Sequence, residues 1–233
     1  MAAIWATPAA AGDRYYAMLF ASQVEPRQAK YSHSFITVVK TRQSCTDSDE
    51  HCDPCGSIVC DHTISWLPQD GEVKLWKLRS EEGVNFSLPS TIRLVKANCE
   101  KIYAWGPFEI TCDAYGRFVD QKRKLDAGAK RYKAVDLVVP WFRSENCVHA
   151  ITDAISNIPE SHYPQWAYGE PSGRAIVKEM RRKKMIISEN HNWLFDCYGL
   201  CVSCRDDCGR VVVHGMHCRD ATDSPTEDAA PTP

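Results

Sequence analysis

Cysteine is the residue that most narrows what this chain can become. Twelve occur among 233 residues, and they are grouped. Cys45, Cys52, Cys55 and Cys60 form one cluster, and Cys197, Cys201, Cys204, Cys208 and Cys218 form another. Cys99, Cys112 and Cys147 stand singly between them. The density is too low for a disulfide mini-scaffold and too high for an ordinary protein of a reducing compartment. Each cluster holds a two-residue-spaced pair, Cys52 with Cys55 and Cys201 with Cys204. Histidines lie close by, His51 in the first, His214 and His217 in the second. That spacing suits tetrahedral zinc, whereas an even cysteine total suits two disulfides stapling each loop. Stapling is weighted above metal, so no metal ligand is assigned and no cofactor is expected.

The start of the chain bears on the compartment. Met1 to Gly12 has no basic segment and only a short apolar one, yet Pro8-Ala9-Ala10-Ala11-Gly12 supplies the small residues found before a signal cleavage site. With the cysteines, this gives an expectation of export, periplasmic or extracellular; the cytoplasm is the alternative. A formal net charge of −2 gives no cationic surface for phosphates, so a nucleic-acid partner is not expected. No apolar run reaches the roughly 18 to 20 residues of a spanning helix, so no membrane span is expected.

Period-2 and continuous apolar patterns come first along the chain. Tyr15 to Ser22 reads as a buried strand, and His33 to Thr41 as a second with His33, Phe35, Thr37 and Val39 on one face. Gln43 to Gly56 is a cysteine-rich insertion. Ser57 to Leu67 is a third strand, with His62, Ile64 and Trp66 on one face, and Val73 to Leu78 is a fourth. The period then becomes helical from Leu88 through Ile92, Val95, Cys99 and Ile102, which buries Cys99 and ends at Gly106-Pro107. A helix over Asp113 to Ala127 closes at Gly128. Another is capped by Ser144 and closed by Asn157 and Pro159, and a third runs over Ser172 to Lys184. Met185 to Phe195 is strand-like, and the tail beyond Arg219 has a disordered composition.

Cys147 is the candidate nucleophile. A cap at Ser144 places it in the first turn of a helix, where unpaired amides and the helix dipole lower a thiol's pKa. A nucleophilic thiol needs a base, and the base needs a group to orient it. His33 and His62, each on a β-branched strand, fill those roles. Asn146 is read as a cap, or as oxyanion support. Trp141, Trp166 and Tyr168 are candidates for a cleft wall, and core packing explains them equally well.

The order His33 on a strand, His62 on the next, then Asn146-Cys147-Val148-His149-Ala150 opening a helix resembles the permuted papain-like superfamily. That group includes circularly permuted NlpC-type amidases and lecithin retinol acyltransferase-like enzymes. The resemblance covers roughly Tyr15 to Ile155. It implies Cys147 as nucleophile, His33 as base and His62 as the orienting residue. The Gln43 to Gly56 insertion and the helical stretch from Leu88 to Ala127 depart from the pattern and mark a distinct branch.

The expected fold is therefore α+β: an antiparallel sheet packed against helices, circularly permuted papain-like, with the cysteine-rich insertion and a cysteine-rich C-terminal segment. Residues 13–195 would form the domain, 196–218 the cysteine-rich segment and 219–233 a disordered tail. The expected function is a thiol hydrolase or acyltransferase that cleaves or transfers an amide or ester acyl group through a Cys147 thioester. Its substrate would be a peptide, cell-wall or lipid-derived amide or ester, a cell-wall peptide suiting an exported bacterial enzyme. The rival is a non-enzymatic, disulfide-stapled or zinc-binding interaction domain.

Overall fold

The computed structural model describes residues 12–42, 55–77, 79–135, 144–156, 168–203, 205–206 and 209–216. Two long strands open the chain, β1 (Asp13–Gln23) and β2 (Ser32–Arg42), paired antiparallel from Asp13↔Arg42 to Gln23↔Ser32. Next come β3 (Ile58–Ile64), β4 (Trp66–Pro68), β5 (Gly83–Asn85), α1 (Leu88–Ala97) and β6 (Lys101–Ile110). They are followed by α2 (Cys112–Asp126), β7 (Arg131–Tyr132), β8 (Ser144–Glu145), α3 (Cys147–Ser156) and α4 (Glu170–Arg182). The chain ends in β9 (Ile186–Ser188), α5 (Trp193–Cys197), β10 (Leu200–Val202) and β11 (Arg210–Met216).

Seven of the described strands make one antiparallel sheet in the order β10-β11-β6-β1-β2-β3, with β9 pairing the far end of β6. The fold is α+β, as the sequence patterns imply. β1 sits near the middle and is covered on both faces, which is why Tyr16 to Phe20 reads as an unbroken apolar run rather than an alternation. Leu19, Ala21, Ile36, Val38 and Trp105 turn to one side, against Phe118 of α2, Ile151 of α3 and Val177 of α4. Met18, Phe20, Phe35, Val39 and Ala104 turn to the other, against Ile92 of α1 and Phe195 of α5. The register of β1 on β6 shifts between Ala17 and Leu19. Gly106 absorbs that shift at φ +90, where a Cβ would come within 2.8 Å of the Ala17 carbonyl oxygen.

Several expectations are corrected. Residues 73–77 of the expected fourth strand are not a strand, and β4 pairs with β5. Helix α1 ends at Ala97, so Ile102 belongs to β6, and that strand runs straight through Gly106 and Pro107. Cys99 has φ 58 and is exposed, not buried on the helix face. Its N–H donates to Lys96 O at 2.9 Å and that of Glu100 to Val95 O at 3.0 Å, the two bonds of a Schellman close. The C-terminal segment is not set apart: β11 pairs along β6 from Arg210↔Trp105 to Val213↔Ile102, and residue 196 lies inside α5.

Among the described residues, the disulfide that forms runs between the two clusters rather than within one. Cys55 is bonded to Cys197, 142 residues away, so the bridge joins the two clusters. Beside it, Tyr198 Oη donates to Asp61 Oδ2 at 2.7 Å, a second tie between β3 and the α5–β10 turn. Cys112 is a free thiol at the start of α2. Cys45, Cys52, Cys204, Cys208 and Cys218 lie outside the described residues, as do Asn157, Pro159 and the tail.

Candidate thiol site

The strand β8 fixes where α3 begins. Ser144 and Glu145 pair in parallel with Arg131 and Tyr132, so Ser144 is extended chain and does not cap the helix. The cap is Asn146: its Oδ1 accepts the His149 N–H at 2.9 Å, and its carbonyl accepts the Ala150 N–H at 2.9 Å. Cys147 becomes the first helical residue.

Across from it, β2 has lost its neighbour. Pairing with β3 stops at Ile36↔Ile64, and the chain then leaves for β5. The exposed edge of β2 is thereby opened at Ser34, whose N–H faces the Cys147 sulphur together with the N–H groups of Val148 and of Cys147 itself. These amides favour a thiolate, but burial outweighs them and pushes the thiol up to about 11. That reverses the expectation of a depressed thiol pKa. At neutral pH the resting group is Sγ–H.

His33 is the second residue of β2, is 3% exposed and stacks on Phe35 with ring centroids 5.4 Å apart. Its Nε2 lies 2.9 Å from Ser65 Oγ. Ser65 Oγ lies 2.7 Å from Thr91 Oγ1, which in turn lies 2.9 Å from the Ser87 carbonyl oxygen. Thr91 Oγ1 is the donor to both Ser65 Oγ and the Ser87 carbonyl oxygen. Ser65 Oγ and His33 Nε2 share the third bond, whose direction follows the imidazole tautomer. The other ring nitrogen, Nδ1, is buried without a hydrogen-bond partner. Burial pushes the imidazole down to about 3, so His33 is neutral too.

The structure brings Cys147 beside Ser34, the chain neighbour of His33, but does not close a Cys147–His33 hydrogen bond. Strand alternation explains the gap. His33 and Phe35 face the α1 side of the sheet, whereas α3 packs on the side of Ile36 and Val38. His62 does not orient His33. It stands opposite Val38 on the α3 side, half-buried, with Tyr115 as its ring neighbour at 6.2 Å. Ser65 takes the orienting place instead.

Two further neighbours escaped the sequence reading. Ser34 Oγ and Ser172 Oγ are 2.6 Å apart, and Ser172 Oγ donates to Gly169 O at 2.6 Å, which docks the start of α4 on the same stretch of β2. Tyr132 is buried close enough to the thiol for the Cys147 charge to bear on its own ionisation. No sequence signal marks Ser34, because a serine within an apolar run reads as a strand position, and Ser172 reads only as the start of a helix. Tyr168 lies beneath Arg27, 5.2 Å from the guanidinium, while Trp141 and Trp166 fall outside the described residues.

Among the described residues, no group of three or more His, Cys, Asp or Glu side chains is arranged to hold a metal ion. None of the described helices is long and apolar enough to cross a membrane. Comparison of the chain with protein-family models, with curated proteins and with solved structures found no match.

Proposed function

We propose that the chain is a thiol hydrolase or acyltransferase of permuted papain-like design, acting on an amide or ester through a Cys147 thioester. The supporting observation is the placement of Cys147 as the first residue of α3, with its sulphur facing the amides of Ser34, Cys147 and Val148. Such amides suit the oxyanion of an acyl-transfer intermediate. His33, held at Nε2 by Ser65 and without a hydrogen-bond partner at Nδ1, is the base. Because both groups rest neutral, the reaction starts from Sγ–H. The proton moves to His33 as sulphur attacks the acyl carbon, and His33 returns it to the departing amine or alcohol. This transfer requires the Cys147–His33 contact to form in the substrate-bound state. The Cys55–Cys197 disulfide supports an oxidising compartment, hence export. A peptide, cell-wall or lipid-derived substrate is compatible with this chemistry.

A second reading is favoured by one observation: the base and the thiol project from opposite sides of the sheet. In that reading the chain is a non-enzymatic, disulfide-stapled interaction domain. One experiment separates the two. Incubation with p-nitrophenyl acetate, followed by peptide mass mapping, is expected to find acyl-Cys147, formed at least about a hundredfold more slowly in His33→Ala. Acylation that is absent, or equally fast without His33, overturns the enzyme reading.

A further inference from the structure

We propose that Glu145, Asp153 and Lys130 form a one-proton lock that positions the Cys147 end of α3. The inference rests on Cys147 being the working thiol. Glu145 immediately precedes the cap Asn146 and is 2% exposed. Its main chain is held by β7, with the Lys133 N–H donating to Glu145 O at 3.2 Å. Its side chain is held by three elements. Gln121 Nε2 of α2 donates to Oε2 at 3.0 Å, Lys130 Nζ pairs with Oε1, and the Asp153 carboxyl of α3 hydrogen-bonds to it. Lys130 Nζ is 3.8 Å from Asp153 Oδ2 and so faces both acids.

Two buried carboxyls sharing one ammonium leave one negative charge in excess, and a carboxyl-to-carboxyl hydrogen bond requires a proton between them. Burial, reinforced by the Glu145 charge and hydrogen bond, pushes Asp153 up to about 8, with Lys130 and His149 acting against the rise. Of the other groups packed around the cluster, His149 adds positive charge beside Asp153, and burial together with Glu145 outweighs it. Gln121 is neutral, and Tyr132 is held far above its ordinary range by burial. Arg117 is committed to Asp113 at 2.7 Å and to the Ile155 carbonyl at 3.3 Å. With the proton in place, β8 and the middle of α3 are tied together across the turn that carries Asn146 and Cys147. When it leaves, two carboxylates face each other, and the tie between β8 and α3 becomes repulsive.

Glu145, Asp153 and Lys130 are thus positioning residues, and the test reads pH dependence on the full chain. Iodoacetamide alkylation of Cys147 and thermal melting are followed at about pH 6 and about pH 9. The probe variant is Asp153→Asn, which keeps the shape and cannot ionise. The ratio of its alkylation rate to that of the parent is expected to be near one at the lower pH. At the higher pH it falls to about one third or less, because only the parent loosens. In melting, the parent loses stability between the two pH values and Asp153→Asn does not. Lys130→Gln acts in the opposite sense: without the cation the proton is held to higher pH, so the melting loss moves upward by at least about half a pH unit. A rate ratio that does not change with pH, or a parent melting profile as flat as that of Asp153→Asn, overturns the lock. His33→Ala, run alongside with p-nitrophenyl acetate, reports on the enzyme reading separately. His33-independent acylation removes that reading, while the melting arms still report on the lock.

Discussion

Cys147 and His33 each carry a charge state set by burial rather than by local sequence. A thiol pushed up to about 11 holds very little thiolate at neutral pH, so Cys147 should be alkylated slowly there. Exposed Cys99 serves as the internal reference within the same chain. At pH 7, iodoacetamide with peptide mapping is expected to label Cys99 roughly a hundredfold faster than Cys147, and comparable rates would contradict the raised Cys147 pKa. Both residues could be singled out as candidates from the sequence, because their order and residue types suit acyl transfer. Their ionisation was not legible there. The amides at the helix start pull the thiol down as the sequence implies, but desolvation by α3, β2 and β7 acts the other way and is larger. Ser65 was illegible for a related reason: it follows Ile64 and precedes Trp66 in an apolar run, and only the departure of the chain towards β5 brings its hydroxyl to His33.

Helix ends show how much of each element the sequence determines. α2, α1 and α4 all finish with the same pair of hydrogen bonds around a left-handed residue: Gly128 at φ 70, Cys99 at φ 58 and Lys184 at φ 54. The stop after α2 was legible because glycine occupies that position freely. The stop after α1 was not, since a cysteine in helical phase with Ile92 and Val95 reads as one more buried turn. A side chain in the left-handed region costs about 1 kcal/mol, so Cys99→Gly is expected to stabilise the protein by roughly that amount in urea unfolding. A loss of stability would mean that the Cys99 side chain makes a contact worth more than the backbone relief. The hairpin of β10 and β11 was missed for another reason. Five cysteines between residues 197 and 218 suggest a stapled loop, and they mask Val211 to Val213, which is an ordinary strand run completing the sheet beside β6.

At the scale of the whole molecule, the Cys55–Cys197 bridge ties the β3 edge of the sheet to the α5–β10 turn, which leads into the opposite edge. Closing so long a loop restricts the unfolded chain strongly, and reduction is expected to lower stability by about 2–5 kcal/mol. Chemical denaturation with and without dithiothreitol measures this, with Cys55→Ser as the control that reduction should no longer affect. Unchanged stability on reduction would mean that the sheet alone holds these edges. The bridge also sets a topology. Residues 55 to 197 form a covalent ring containing β3 and β6, while β1 and β2, which lie between those strands in the sheet, belong to chain preceding the ring. The central hairpin is therefore flanked on both sides by a closed loop of which it is not a part. A protease that cuts once inside the ring releases no fragment, and the nicked chain migrates as one species on a gel until reductant separates its two pieces.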